Sequence, residues 1–396
     1  MAGVTVEELM REPEVAKALA WIDSRRDAII EEAIRICEIP APPFEEAARA
    51  AYVRQRFEAL GLADVRIDET GTVEGRRPGA GGRLGVALSA HLDTVFPRGT
   101  DVTVKRRGTQ LHAPGIGDNS VSVAALLAVL EAMNAAGLRT AGDLYLAGNT
   151  GEEGLGNLRG MKAFIAAVRD RVGAAIVIDG MRINRIVHVA VGSRRYEVTF
   201  TTPGGHSWAD FPAPSAVHLM GRAIAEISRL DVPVSPKTTY NVGVVTGGTT
   251  VNSIAGEAKM LVDMRSVDPG PLADVERRLL EIVKRTARDG HGEAGWTLVG
   301  DRPAGAIPET HPVVQTCAAV HRALGLDVYT EPASTDHNAP LALGIPSVCL
   351  AVTAGEHEHR LDEYIETAPL AVGIRKILVA TVAVSKEIAR PAETPA

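Results

Sequence analysis

The sequence predicts an α/β protein: a mostly parallel sheet flanked by helices, interrupted by a second domain of α+β type. Three observations carry this expectation. Short, continuous apolar runs alternate with helical spacings through the first half of the chain. Near Gly192 the pattern changes to polar–apolar alternation, and after Pro308 the first pattern returns. At 396 residues the chain also exceeds what one hydrophobic core usually organises.

Residues 15–36 carry helical apolar spacing at Leu19, Ile22, Ile29, Ile30 and Ile34, and 45–60 repeat it after the Pro40-Ala41-Pro42-Pro43 break. The run 84–90 reads as a buried strand ending at His91, and 121–133 as a helix entered from Gly115-Ile116-Gly117-Asp118. Strand 144–147, helix 161–168 and strand 174–178, ending at Asp179, continue the alternation that builds a parallel sheet. Arg195-Tyr196-Glu197-Val198-Thr199-Phe200 then has the period of a half-exposed strand. Helix 214–230, strands 240–245 and 258–264, helix 272–286 and strand 296–299 complete a β-α-β-β-α-β order, the split βαβ arrangement. Helix 313–324, strands 328–330 and 348–352 and a long closing helix restore the first domain. The expected domains are therefore 1–192 with 307–396, and an insert spanning 193–306. The Ala/Pro/Glu tail from Arg390 is expected to be disordered.

Composition narrows the function. A net charge of −7 with interspersed signs argues against nucleic acid or an anionic membrane as partner. No run is expected to supply the roughly 20 apolar residues of a membrane helix, and the amino terminus lacks a basic start and an apolar core. Cys37, Cys317 and Cys349 are too scattered for a disulfide framework, so a cytoplasmic location is expected.

In open α/β sheets ligands bind in the loops beyond the carboxyl ends of the strands. His91, Glu152, Glu153 and Asp179 all occupy that position, and Asp118 opens the helix beside them. Taken singly, each has an ordinary alternative: a polar turn for His91-Leu92-Asp93 and Asp179-Gly180, a helix cap for Asp118, a solvated loop for His359. Together, imidazole from His91 and His359 with carboxylate from Asp118, Glu153 and Asp179 forms a ligand set for two divalent ions. Zinc is the first choice, cobalt or manganese the alternatives. Asp118 would bridge, with His91 and Asp179 on one ion and His359 and Glu153 on the other. Asp93 is placed to accept the far ring N–H of His91 and fix its tautomer. Glu152 would be the general base acting on a water between the two ions.

These residues resemble the M20 metallopeptidase family of co-catalytic zinc carboxypeptidases, di- and tripeptidases, aminoacylases and deacetylases, in its peptidase T-like or a related branch. The resemblance spans nearly the whole chain. His91-Leu92-Asp93-Thr94-Val95, Gly117-Asp118, Glu152-Glu153-Gly154, Asp179 and His359-Arg360-Leu361-Asp362-Glu363 resemble its metal-site motifs, with His357 a rival of worse spacing for the last histidine. Gly204-Gly205-His206-Ser207, Gly247-Gly248-Thr249-Thr250-Val251-Asn252 and Asp263-Met264-Arg265 resemble segments of the family's lid domain. The resemblance implies that the insert is a ferredoxin-like lid and dimerisation domain, and that the protein is a homodimer. It implies that His206 polarises the scissile carbonyl in the partner's site, and that Asn252 and Arg265 bind the substrate's backbone or carboxylate. Ser334, Thr335 and Asp336 resemble a segment lining the substrate pocket. The Asp118–Asn119 peptide is expected to be cis, and Asn119-Ser120 departs from many relatives at that point. Aspartate as the fourth ligand resembles the di- and tripeptidases, so the expectation is an exopeptidase of short peptides. An N-acyl amino acid amidohydrolase or deacetylase is the first alternative, a non-catalytic binding paralogue the second.

Overall fold

The computed structural model describes Thr5–Ala389, so the expectation for the Arg390 tail lies outside the described residues. The chain divides into two compact units, with boundaries at Val189/Ala190 and Gly305/Ala306. The discontinuous unit is built on an eight-stranded sheet, ordered Ala63–Ile67, Val73–Arg77, Leu144–Asn149, Gly85–His91, Val172–Ile178, Ser347–Leu350, Arg185–Val187, Tyr329–Thr330. The four strands from Leu144–Asn149 to Ser347–Leu350 are parallel. Antiparallel pairing appears outside them, at Val73–Arg77 with its neighbours and between Arg185–Val187 and Ser347–Leu350.

Gly85–His91 and Leu144–Asn149 are buried along their whole length, which explains why they read as continuous apolar runs. Both sheet faces are covered. Val86, Leu88, Ala90, Ile176 and Ile178 join the larger core, while Ala87, Ala175 and Val177, one residue out of phase, join a second core with Met161 and Phe164. Behind the larger core lies helix Val121–Ala136. With the preceding turn it is an apolar stretch, Ile116–Ala136, long and apolar enough to cross a membrane, contrary to the expectation of no such run. Its most apolar window is 94% buried inside the protein, the property of a core helix.

The single helix expected over 15–36 is two, Pro13–Ser24 and Arg26–Cys37. At Arg25 the backbone leaves the helical region (φ −112°, ψ 11°) and its N–H bonds back to Ile22. The apolar spacing continues across the break, so periodicity alone does not reveal it.

The inserted unit contains Gly192–Thr201, Ala216–Ile227, Thr238–Gly247, Glu257–Ser266, Pro269–Asp289 and Glu293–Arg302 in β-α-β-β-α-β order. Its strands lie in the order Thr238–Gly247, Glu257–Ser266, Gly192–Thr201, Glu293–Arg302, all antiparallel, which is the ferredoxin-like arrangement. Val198, Phe200, Met260, Val262 and Met264 point to the helices and pack with Leu219, Leu272, Leu279 and Val283. One sheet face is therefore covered by helices. Val244, Val245, Leu261, Trp296 and Leu298 remain exposed.

Candidate metal centre

The discontinuous unit brings the strand-end residues together. His91 is the last residue of its strand, Asp179 follows Val172–Ile178, and Glu152 and Glu153 follow Leu144–Asn149. These three strands are neighbours, so parallel pairing alone delivers their ends to one edge. The chain reaches Glu152 through Gly151, whose φ of +70° is the left-handed region glycine adopts without a steric penalty.

Asp118 stands at the middle of the cluster. Its Oδ1 lies 3.0 Å from His91 Nε2 and its Oδ2 lies 3.0 Å from His359 Nε2. Asp179 Oδ1 is 3.5 Å from His91 Nε2, and Glu153 Oε1 is 3.2 Å from His359 Nε2. Three of these atoms, His91 Nε2, Asp118 Oδ1 and Glu153 Oε1, are buried and have no partner in hydrogen-bond geometry. Buried polar atoms are normally satisfied. Here they converge, with the donor atoms of His91, Asp118 and Glu153 all within 4.8 Å of one another, which is the fit expected of a cation site. A second group, Asp118, Glu358 and His359, meets the same distance and shares Asp118 with the first.

Electrostatics supports the same reading. Burial pushes the Glu153 carboxyl up, and the charge of Asp118 adds to it, raising it to about 7. Burial disfavours a charged His91, yet Asp118 and Asp179 outweigh it and hold the ring's pKa well above the usual histidine value. The carboxylates of Asp118 and Glu153, facing its Nε2, raise His359 to about 11. Burial opposes the charge of Asp118, but His359 and His91 hold its carboxyl well below the ordinary range. The carboxylates thus demand positive charge, which protons on the histidines supply when no cation does.

Main-chain donors fix this geometry. The Asp93 carboxylate accepts the amides of Glu152 (3.2 Å) and Glu153 (2.8 Å) and so shapes the turn that presents both. The hold on the His91 ring expected of this carboxylate passes to the main chain of Asp93. His91 Nδ1 lies 3.1 Å from the main-chain carbonyl of Asp93 and 3.8 Å from its carboxylate. Glu363 accepts the amides of Gly115 (3.1 Å), Gly117 (2.7 Å) and Asp118 (3.0 Å), and so holds the loop that carries the bridge candidate. Burial and the charge of Asp118 raise its carboxyl to about 8. The Asp118–Asn119 peptide is cis. His357, the rival histidine, pairs with Asp362 at 3.1 Å on an exposed loop, while His359 faces Asp118.

Three contributors were not singled out in the sequence. Arg49 is buried and donates to the carbonyls of Leu92 (2.7 Å) and Ile39 (2.8 Å), bracing the turn after His91. Asn149, the last residue of its strand, donates to Asp336 at 2.6 Å. Glu358 approaches Asp118 and His359, and its carboxyl is pushed up by the protein around it and by the charges of Asp118 and Asp179. The adjacency of Glu358 to His359 was the available signal; an arginine in the first turn of helix Ala47–Ala59 and a strand-end asparagine gave none.

Among the residues expected to line the substrate pocket, Ser334 is half-buried, while Thr335 and Asp336 are buried. Thr335 donates to Asp179, and Asp336 accepts from Asn149, so both brace the site. In the inserted unit His206 is exposed, and its Nδ1 accepts the amides of Trp208 (3.2 Å) and Ala209 (3.3 Å). The neutral ring then carries its proton on Nε2. Asn252 is exposed and accepts from Thr250 Oγ1 at 3.0 Å, and Arg265 pairs with Asp263 on its own strand at 2.7 Å.

Known proteins share this fold over most of the chain. The model of peptidase family M20/M25/M40 matches residues 87–382. A tripeptidase from Staphylococcus aureus superposes with a TM-score of 0.78 at 22% identity, covering 91% of this chain and 99% of that one. Aminopeptidase PepT from Bacillus cereus gives a TM-score of 0.76 at 20% identity, with the same coverage of 91% and 99%. Acetylornithine deacetylase of Myxococcus xanthus is 29% identical over 308 residues, 74% of each chain.

Proposed function

Because the chain belongs to peptidase family M20/M25/M40 and is a hydrolase, we propose that it cleaves the amide bond of short peptides as an exopeptidase, using two divalent cations. The observation that carries this reading is Asp118, buried between two histidines with one oxygen 3.0 Å from each. His91 and Asp179 would hold one ion, His359 and Glu153 the other, and Asp118 both. Zinc suits the imidazole and carboxylate donors, with cobalt or manganese as substitutes. Bound there, two such ions supply Lewis acidity toward a carbonyl and lower the pKa of water.

The chain's own residues supply the remaining steps. Glu152 takes a proton from the attacking water and returns it to the leaving amine. Asp93 holds the Glu152-Glu153 turn through both amides, so base and ligand keep separate directions. In the partner's site, His206 would offer Nε2–H to the scissile carbonyl oxygen as charge develops there. Asn252, Arg265 and the Ser334–Asp336 segment are assigned to substrate binding, the last by bracing Asp179. A second copy of the chain is the expected partner. The exposed edge strand Thr238–Gly247 and the apolar sheet face with Trp296 and Leu298 support a homodimer through the inserted unit. Three free, buried cysteines suit the reducing cytoplasm.

The deacetylase relative favours one further reading, hydrolysis of N-acyl amino acids. A panel of di- and tripeptides set against N-acetyl amino acids separates the two. The exopeptidase reading expects the higher kcat/KM on peptides with a free amino group, and turnover confined to acylated amino acids would replace it.

A further inference from the structure

Of the carboxylates around the centre, Glu358 is the one the proposed chemistry leaves without a task. Glu363 and Asp93 are each engaged by main-chain amides. Asp118, Glu153 and Asp179 face the histidines, and Glu152 carries the proton. A carboxylate oxygen of Glu358 lies within 4.8 Å of donor atoms of both Asp118 and His359. Unlike Asp118, Glu152 and Glu153, which are buried, Glu358 is exposed. Among the described residues, no lysine or arginine pairs with it.

Ordinary chain geometry does not produce this placement. Side chains of consecutive residues diverge on a strand and on a helix. Glu358 and His359 nevertheless both turn to Asp118, because His357 (φ +67°) and His359 (φ +64°) take the left-handed conformation on either side of Glu358. That region is disfavoured for residues other than glycine, so the turn is held by its surroundings.

Charge identifies what Glu358 faces. Two divalent cations would balance Asp118, Glu152, Glu153 and Asp179, while Asp93 and Glu363 are met by main-chain N–H groups. Glu358 adds one negative charge on the solvent side, where an incoming molecule arrives. We propose that Glu358 is a specificity-determining residue that binds the protonated α-amino group of the substrate beside the scissile amide, so that the enzyme selects peptides with a free amino terminus. The inference rests on the exopeptidase reading and assigns the residue that enforces it. Ammonium and carboxylate form a charge-assisted hydrogen bond, and a site built for it discriminates against a substrate lacking the amine.

The test compares trialanine with its desamino analogue, propanoyl-dialanine, on the metal-loaded wild-type protein and on Glu358→Gln, with metal content measured on both. Wild type should favour trialanine by roughly 10- to 100-fold in kcat/KM, the scale of one charge-assisted hydrogen bond. In Glu358→Gln that ratio should collapse to within about 3-fold, mainly through KM on trialanine, while the ion content stays that of wild type. An unchanged ratio overturns the proposal. So does loss of an ion from Glu358→Gln, which makes the residue a cation ligand. If wild type cleaves both compounds equally well, the ammonium site fails, and only the cleavage of short peptide amides stands. If it cleaves neither but turns over N-acetyl amino acids, both fail.

Discussion

The two units place their candidate residues in opposite surroundings. In the discontinuous unit His91, Asp118, Glu152 and Glu153 are buried, and one polar atom each of His91, Asp118 and Glu153 converges without a partner in hydrogen-bond geometry. In the inserted unit His206 and Asn252 are exposed, and Arg265 is neutralised by Asp263 on its own sheet. A buried cluster of like-charged carboxylates is costly and persists where positive charge completes it. An exposed histidine incurs no such cost, so its role can be carried only by the position of its proton and by what reaches it. The first region thus announces its ligand through its own electrostatics, while the second has meaning only relative to a substrate.

Breaking each region separately sharpens the contrast. Glu152→Gln should lower kcat by at least about 1,000-fold, within the range for loss of a general acid–base, with the fold intact. Steady-state kinetics beside a thermal melt reads this, and a kcat within tenfold of wild type removes Glu152 from the chemistry. His206→Ala should lower kcat by about 100-fold, the scale of one lost oxyanion donor, and leave melting unchanged, since the ring is exposed. A melting shift without a kinetic effect makes it structural.

The next prediction concerns how the buried region is held. Glu363→Gln replaces one of the two accepting oxygens with an NH2 group, so at least one of the three main-chain N–H groups loses its acceptor, and should cost about 1–3 kcal/mol of stability. Chemical denaturation of the loaded protein measures it, and an unchanged midpoint shows that the Asp118 loop is held by other contacts.

The smallest effect is a pH slope. In the metal-free protein His359 titrates near 11, and His91 well above an ordinary histidine. Between about pH 6.5, where an unfolded histidine loses its proton, and the folded values, the metal-free fold binds protons that the unfolded chain has released. Its stability therefore falls as pH rises. Ligated histidines carry no such protons, so the loaded protein lacks this slope. Lys376, lowered by burial to about 7, acts in the opposite direction in both forms, so the informative quantity is their difference. The gap between melting temperatures of loaded and chelator-treated protein should widen from pH 6.5 to 9, and a narrowing gap contradicts the protonation assigned to the histidines.

Much of this was legible in the sequence because burial leaves a periodic trace. Continuous runs such as 84–90 and 174–178 read as parallel strands because both sheet faces are covered, and the ferredoxin-like insert showed in the period-2 alternation at 195–200. Where burial is weak the trace fades. Ala63–Ile67, half-exposed at the sheet edge, was not anticipated, nor was the break at Arg25. At the centre, residue types and strand ends pointed to His91, Asp118, Glu153, Asp179 and His359, all of which the fold gathers. The task of Asp93 was not readable, because a partner that is a main-chain amide leaves no side-chain signature. Glu358 was obscured because its approach to Asp118 depends on two positive φ angles that composition does not encode.

The central claim is that the buried cluster around Asp118 holds two cations. Elemental analysis of wild type, Glu152→Gln and Asp118→Asn, each purified without chelator, tests it most directly. The account predicts two divalent ions per chain in wild type and in Glu152→Gln, and loss of ions in Asp118→Asn. Fewer than one ion per chain in wild type, or an Asp118→Asn protein that keeps both, would contradict it.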